Sequence, residues 1–253
     1  MSVRRMAALS VVMAAALGGC GVSTSGAERA TAAGGGPGAA GSTYPRSSTT
    51  TGSSTTAPGT SNPDVANDPV LKKMQADLES LTQTLDDYWA GKVDGYQPPQ
   101  AVETYLADGS STVTCGGRPV TGPNAAFCGS DNTVLVAIDW FYEQNQKIGD
   151  TFTYFVLAHE WGHSAQANLG VPDNPNIELQ ADCFAGAFLQ DEIDAGQLTE
   201  EPGDEQELNQ SIALASNDFG TKEKHGTLAQ RATAVEYGRT NRGQACVSQY
   251  GPG

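Results

Sequence analysis

Apolar residues recur at three- and four-residue spacing in two long stretches of the chain and hardly at all in its first quarter. Leu71, Met74, Leu78, Leu81, Leu85 and Tyr88 form one series, a stripe that predicts a core-facing helix. Asp68 suits its N-cap and Pro69 its first position, where a missing N–H costs nothing. Phe152, Phe155, Val156, His159 and His163 form the second series. It predicts a helix from about Thr151 to Leu169, capped by Asp150 and stopped by Gly170 and Pro172. Between them, Thr133 to Asp139 is a run of β-branched and aliphatic residues that reads as a strand, and Ser110 to Thr114 reads as a shorter one. After a Gly/Pro/Asn-rich turn, Glu178 to Gly186 reads as a further helix, and so does Glu205 to about Asp218. Thr227 and Gln230 form a capping-box pattern, so one more helix starts just after His225. The sum is an α+β fold, helices with a small sheet.

The first quarter is built differently. Arg4 and Arg5 precede an apolar run from Met6 to Leu17, which is too short to span a membrane and reads as a secretory signal over 1–19. Leu17-Gly18-Gly19-Cys20 looks like a bacterial lipobox, which makes Cys20 the expected lipidated N-terminus. The Gly, Ser, Thr, Ala and Pro of 20–63 cannot bury enough surface to offset their ordering entropy, and they read as a disordered tether. The remaining 64–253 suffices for one domain with its own core. The expected location is therefore outside the cytoplasm, held to the cell membrane by the N-terminal lipid only. From residue 64 onward 28 acidic residues face 10 basic ones, a net charge of −18. That field argues against nucleic acid and against anionic membrane surfaces as partners. Nothing in the pattern specifies an oligomeric state.

The candidate chemistry sits on the second apolar stripe. The chain has three His, and two of them stand in His159-Glu160-Trp161-Gly162-His163. Residues i and i+4 share a helix face, so both imidazoles can hold one Zn²⁺, with Glu160 beside its open side as general base. A third protein ligand is needed, and Glu178 is the candidate. Asp182 lies one turn further along and would point the same way. One carboxylate can ligate, and the other can accept the outer N–H of a ligand His and fix its tautomer. The third His, His225, would enter a helix N-terminus. Its expected role is to donate to the oxyanion of a tetrahedral intermediate, with Arg231 as a second oxyanion candidate.

His159-Glu160-x-x-His163, then Glu178-Leu179-Gln180-Ala181-Asp182-Cys183-Phe184-Ala185-Gly186, then His225-Gly226-Thr227-x-x-Gln230-Arg231, resembles the bacterial neutral zinc metallopeptidases. These are zincins whose third ligand is the Glu of an E-x-x-x-D element. The resemblance covers about Cys115 to Cys246. It implies His159, His163 and Glu178 as ligands, Glu160 as base and Asp182 as the carboxylate behind a ligand His. It also implies a zincin-like domain, mostly helical with a small sheet beside the active-site helix, and one Zn²⁺. The implied activity is a peptidase, in all expectation an endopeptidase, with a peptide or protein substrate. The same likeness suggests that the strand Thr133 to Asp139 is an edge that binds substrate backbone by strand addition. Trp161 and Ser164 depart from the pattern, where a smaller residue and a His are expected.

Cys20 apart, Cys115, Cys128, Cys183 and Cys246 remain, and four Cys allow three pairings. The expected pairs are Cys115–Cys128, closing a Gly/Pro-rich loop before the strand, and Cys183–Cys246, tying the ligand helix to the segment after the His225 helix. Cys183 is the rival zinc ligand, but its helical phase takes it off the Glu178/Asp182 face. Two functions fit these residues. One is an exported, membrane-anchored zinc metallopeptidase. The other is a non-catalytic lipoprotein that keeps the zincin fold to bind zinc or peptides. The presence of Glu160 favours the first, since a pure binder has no need of a base there.

Overall fold

Helix α1 (Pro69–Ala90) begins at the proline and buries Met74, Leu81, Leu85, Tyr88 and Trp89, with Leu71 and Leu78 half-covered at its margin. It belongs to a computed structural model that describes residues 2–3, 69–110, 113–218 and 225–251. All of these fall in one compact unit, Met1–Met6 with Ala57–Gly253. The expected leader, Cys20 and the tether lie outside the described residues, Ser2–Val3 excepted. That pair forms β1, which runs antiparallel to β7 (Leu198–Thr199).

Three further strands make the central sheet. β2 (Ala101–Tyr105) lies parallel to β6 (Thr133–Ala137), and β5 (Ala125–Cys128) lies antiparallel to it, in the order β2-β6-β5. The strand expected at the edge is thus the central one. β6 is paired on both sides and buried along its whole length, so it has no free backbone to offer, and β5 is the edge beside the site. Sequence reading missed β2 and β5 because each is short and carries no clean alternation. β3 (Thr114–Cys115) and β4 (Arg118–Pro119) form a separate two-residue hairpin, in place of the strand expected at Ser110 to Thr114. β6 passes directly into α2 (Ile138–Lys147) with no turn residue between them. The expected strand therefore ran two residues too long.

Helix α3 (Thr151–Leu169) is the axis of the unit, and it is buried nearly all round rather than on one stripe. Its neighbours are α1, α2, α4 (Ile177–Asp194), α5 (Asp204–Asp218) and β5. Gly170 ends it in the left-handed conformation at φ 66°, a region that glycine enters without a Cβ clash. Asp150 does not cap it. The Asp150 side chain makes no capping bond, because its carboxylate is paired with Lys73 of α1. The anion at the helix start is Glu207 of α5, whose Oε2 accepts the Thr151 N–H at 3.2 Å, as the N-terminal partial positive charge favours.

α4 crosses α6 (Leu228–Asn241) at backbone distance. A Cβ on Gly186 would lie 2.1 Å from the Val235 carbonyl oxygen, and one on Gly238 would lie 1.9 Å from that of Cys183. Only glycine permits this approach from both sides, which explains the last residue of the Glu178–Gly186 run. α7 (Gly243–Tyr250) closes the chain, and Cys183–Cys246 ties it to α4, while Cys115–Cys128 closes the loop before β6. Both bridges are the expected ones. With sequence separations of 13 and 63, the chain-entropy model assigns them about 3 and about 4 kcal/mol. Edge-on aromatic pairs, Trp89–Phe184, Tyr88–Phe188 and Trp140–Phe152, fill the space around α3 and α4.

Candidate metal centre

His159 and His163 stand one turn apart on α3 and point at one spot. Their Nε2 atoms are 3.1 Å apart. Glu178, at the start of α4, brings Oε2 to 3.3 Å from the His159 Nε2 and 3.7 Å from that of His163. A tetrahedral ion with ligands at 2.0–2.1 Å sets its ligand atoms about 3.3 Å apart. The observed triangle straddles that value. The two helices are held together beneath it by Gly162, where a Cβ would come within 3.1 Å of the Ala181 backbone.

The outer ring nitrogens decide what the inner ones can do. His159 Nδ1 lies 2.9 Å from Asp182 Oδ1, so in the neutral ring Nδ1 carries the proton and Nε2 keeps a lone pair. His163 Nδ1 lies 2.8 Å from Gln166 Oε1. The Gln166 amide cannot be turned round, because its Nε2 donates to the Ile177 carbonyl and to Gln180 Oε1. Hence His163 Nδ1 is also protonated and its Nε2 also bare. With both rings neutral, three electron-pair donors converge on one point, an arrangement that a positive charge there, a metal ion or a proton, satisfies. Two nitrogens and one carboxylate oxygen are the donor set of catalytic zinc sites that keep a fourth position open.

Asp182 is fully buried and grips more than His159. Arg231, 3% exposed, donates from Nε to Asp182 Oδ2 at 2.8 Å and from Nη2 to Oδ1 at 2.7 Å. Burial alone would raise the Asp182 carboxyl, but Arg231 and His159 outweigh it and hold it below the usual range. Burial likewise opposes charge on His159, yet Asp182 at one nitrogen and Glu178 at the other push its pKa up to about 10. Glu178 is lowered against its own burial by His159, His163 and His225. A strong positive charge at the centre of these groups is what the surrounding acids are arranged to favour.

Arg231 does not stand as an oxyanion donor. Its fork is committed to Asp182, and Nη1 donates to the Ala215 carbonyl. Its place is behind the ligand His, as the group that keeps Asp182 ionised. His225 sits on the rim with Nδ1 3.0 Å from Glu178 Oε2, just before the capping box that Thr227 and Gln230 form on α6. Glu160 points toward β5, where its Oε2 accepts the Phe127 N–H at 2.7 Å. Trp161 and Ser164 face away from the centre, bonding Asp86 of α1 and Tyr96 respectively. Their departures from the expected pattern are packing differences.

Two partners escaped the sequence reading. Gln166 stands three residues after His163, on the same helix face, and that spacing was a usable signal. The Phe127 amide has none, since any residue carries an N–H. Around these groups lies a cleft of about 800 Å³, walled by β5 and the loop before it, by α3, and by the start of α4.

A family model described as "Putative neutral zinc metallopeptidase" matches residues 39–176, more than half of the chain. This chain belongs to that family. The matched stretch holds His159, Glu160 and His163 and stops two residues before Glu178, so the third carboxylate rests on the distances above. The chain is also 27% identical over 206 residues to "Uncharacterized protein YpfJ" of Escherichia coli strain K12, covering 68% of this chain and 69% of that protein. The same figures hold for the protein of that description in E. coli O6:H1. No solved structure matches the chain significantly.

Proposed function

We propose that this family member is an exported, lipid-anchored zinc peptidase that hydrolyses internal peptide bonds, with Glu160 as general base. The observation that carries the reading is the convergence of His159 Nε2, His163 Nε2 and Glu178 Oε2 in a cleft that the Glu160 carboxylate also lines. These three atoms would hold the ion. When bound, Zn²⁺ supplies Lewis acidity, which brings the pKa of a coordinated water from 15.7 toward about 7. Glu160 takes a proton from the attacking water and returns it to the leaving amine. The Phe127 N–H fixes one of its oxygens, and the other has no partner among the described residues. Asp182, backed by Arg231, keeps His159 in the tautomer that ligates, and Gln166 does so for His163. His225 donates to the carbonyl oxygen as negative charge builds on it.

The decisive experiment measures metal content and cleavage together. Purified mature protein is expected to carry one equivalent of zinc and to cut a mixed peptide library, with cleavage lost to a chelator and regained with zinc. One equivalent of zinc with no cleavage would instead favour the non-catalytic binder. For His225→Ala we expect kcat to fall about 10²-fold, the usual cost of one oxyanion donor. Steady-state kinetics checks this, and a change under about threefold returns His225 to a plain rim residue.

Export and anchoring rest on Arg4, Arg5, the apolar run to Leu17 and the Leu17–Cys20 lipobox likeness. No described helix is long and apolar enough to cross a membrane. Intact-mass spectrometry of the mature protein should find diacylglycerol on Cys20 as the first residue. An unmodified Cys20, or a start elsewhere, removes the anchor.

A further inference from the structure

We propose that Gln180 is a positioning residue for the metal centre: acting through Gln166, it fixes which nitrogen of His163 is left bare for the metal, and the Cys246 carbonyl of α7 fixes Gln180 in its turn; this rests on the zinc reading above. Gln180 stands two residues after Glu178 on α4 and is wholly buried. A buried amide must find partners for its hydrogens and for its oxygen. Gln180 Oε1 accepts from Gln166 Nε2 at 3.1 Å, and Gln180 Nε2 donates to the Cys246 carbonyl over a longer 3.5 Å. Gln166 Nε2 gives its other hydrogen to the Ile177 carbonyl at 2.7 Å, and Gln166 Oε1 accepts from His163 Nδ1 at 2.8 Å. The hydrogens thus all point one way, from His163 through Gln166 and Gln180 to α7.

Two backbone groups set that direction, because the carbonyls of Ile177 and Cys246 can only accept. Turning Gln180 round would press its oxygen against the Cys246 carbonyl and its NH₂ against that of Gln166. Turning both amides would leave oxygen facing oxygen at Ile177 and at Cys246. His163 Nδ1 would then receive a hydrogen instead of giving one, and the neutral ring would carry its own hydrogen at Nε2, where the metal must bind. Either reversal is costly in the interior, where water cannot make good an unpaired group.

The far end of the chain is itself held. Cys183 follows Gln180 by three residues on α4, so the two share a helix face. The Cys183–Cys246 bridge ties α7 to that face, and Cys246 is fully buried there. The acceptor carbonyl therefore stays over Gln180. Gln180 does not line the cleft, so what it does for the centre it does through Gln166. The Gln180 position in the Glu178–Gly186 run thus has a task of its own, distinct from those of the ligand Glu178 and of Asp182 behind His159.

The test is a double-mutant cycle on the full chain, read as zinc affinity by competition with a chromophoric chelator. Gln180→Met keeps the bulk of the side chain and removes both polar ends. It should weaken zinc binding about tenfold, the low end of the loss usual for partners behind a metal ligand. In a Gln166→Leu background the same substitution should change zinc affinity by less than about twofold, because its path to His163 is already cut. A residue that merely fills space would lower affinity equally in both backgrounds. That outcome, or a Gln180→Met single variant that binds zinc within about twofold of wild type, overturns the proposal and leaves the metal centre standing. A second measurement depends on no variant's folding. In zinc-free wild-type protein, a long-range proton–nitrogen correlation spectrum should find the His163 hydrogen on Nδ1, and a bare Nδ1 overturns the direction assigned to the chain. Failure of the wild type to bind zinc sinks both this proposal and the zinc reading.

Discussion

Glu160→Gln is expected to lower kcat by about 10²–10⁴-fold while one zinc stays bound. The substitution is close to isosteric. An amide oxygen can still accept the Phe127 N–H, so the side chain keeps its place against β5. The three ligand atoms and their partners Asp182 and Gln166 are untouched, so metal affinity should stay close to wild type. What goes is basicity, because a Gln side chain cannot take a proton from water at neutral pH. Metal stoichiometry by atomic absorption, set beside kcat on a fluorogenic peptide, separates the two effects. Activity within tenfold of wild type would take Glu160 out of the chemistry, and loss of zinc would make its role structural.

Arg231→Ala is expected to cost about 3–5 kcal/mol of folding stability at pH 7, the usual penalty for leaving one partner of a buried ion pair alone. Asp182 is fully buried and Arg231 nearly so, and two hydrogen bonds join them. Domains of this kind are stable by about 5–15 kcal/mol, so the loss is a large fraction of the total. The pH dependence has a definite sign. In the wild type the Asp182 pKa lies below the usual carboxylate value. Its stabilisation is therefore complete above about pH 4 and is lost as pH falls through the lowered folded value. Without Arg231, burial dominates and raises the Asp182 pKa. The variant can then relieve its penalty by binding a proton, so the deficit relative to wild type should shrink as the solution is acidified toward pH 4. Urea denaturation at both pH values tests this. A deficit under about 1 kcal/mol at pH 7 would mean that Asp182 is adequately held by His159 alone.

How much of the site could be read beforehand depended on whether its geometry is local. His159 and His163 share a face because a helix repeats every 3.6 residues, and Glu178 and Asp182 share one for the same reason. The two carboxylates meet opposite nitrogens of the same ring, an arrangement that their one-turn spacing already allowed. The capping box at Thr227 and the stop at Gly170 are likewise determined within a few residues. Arg231 shows where such reading fails. A cation six residues after His225 could equally face substrate or interior, and only the crossing of α4 with α6, at the distance Gly186 and Gly238 permit, turned it onto Asp182.

The amino-acid sequence by itself determined α1, α3, α5, α6 and the start of α4, the two imidazoles and the carboxylates beside them, but not α2 or α7. It could do so because each follows from short-range periodicity, capping or spacing. Tertiary structure alone decided that β5 rather than β6 is the open edge. It also decided that Glu207 rather than Asp150 meets the start of α3, and that a backbone amide of β5 holds Glu160. These are contacts between segments far apart in the chain or between groups every residue possesses. Which of them forms depends on how the helices and sheet pack, and no local pattern encodes that.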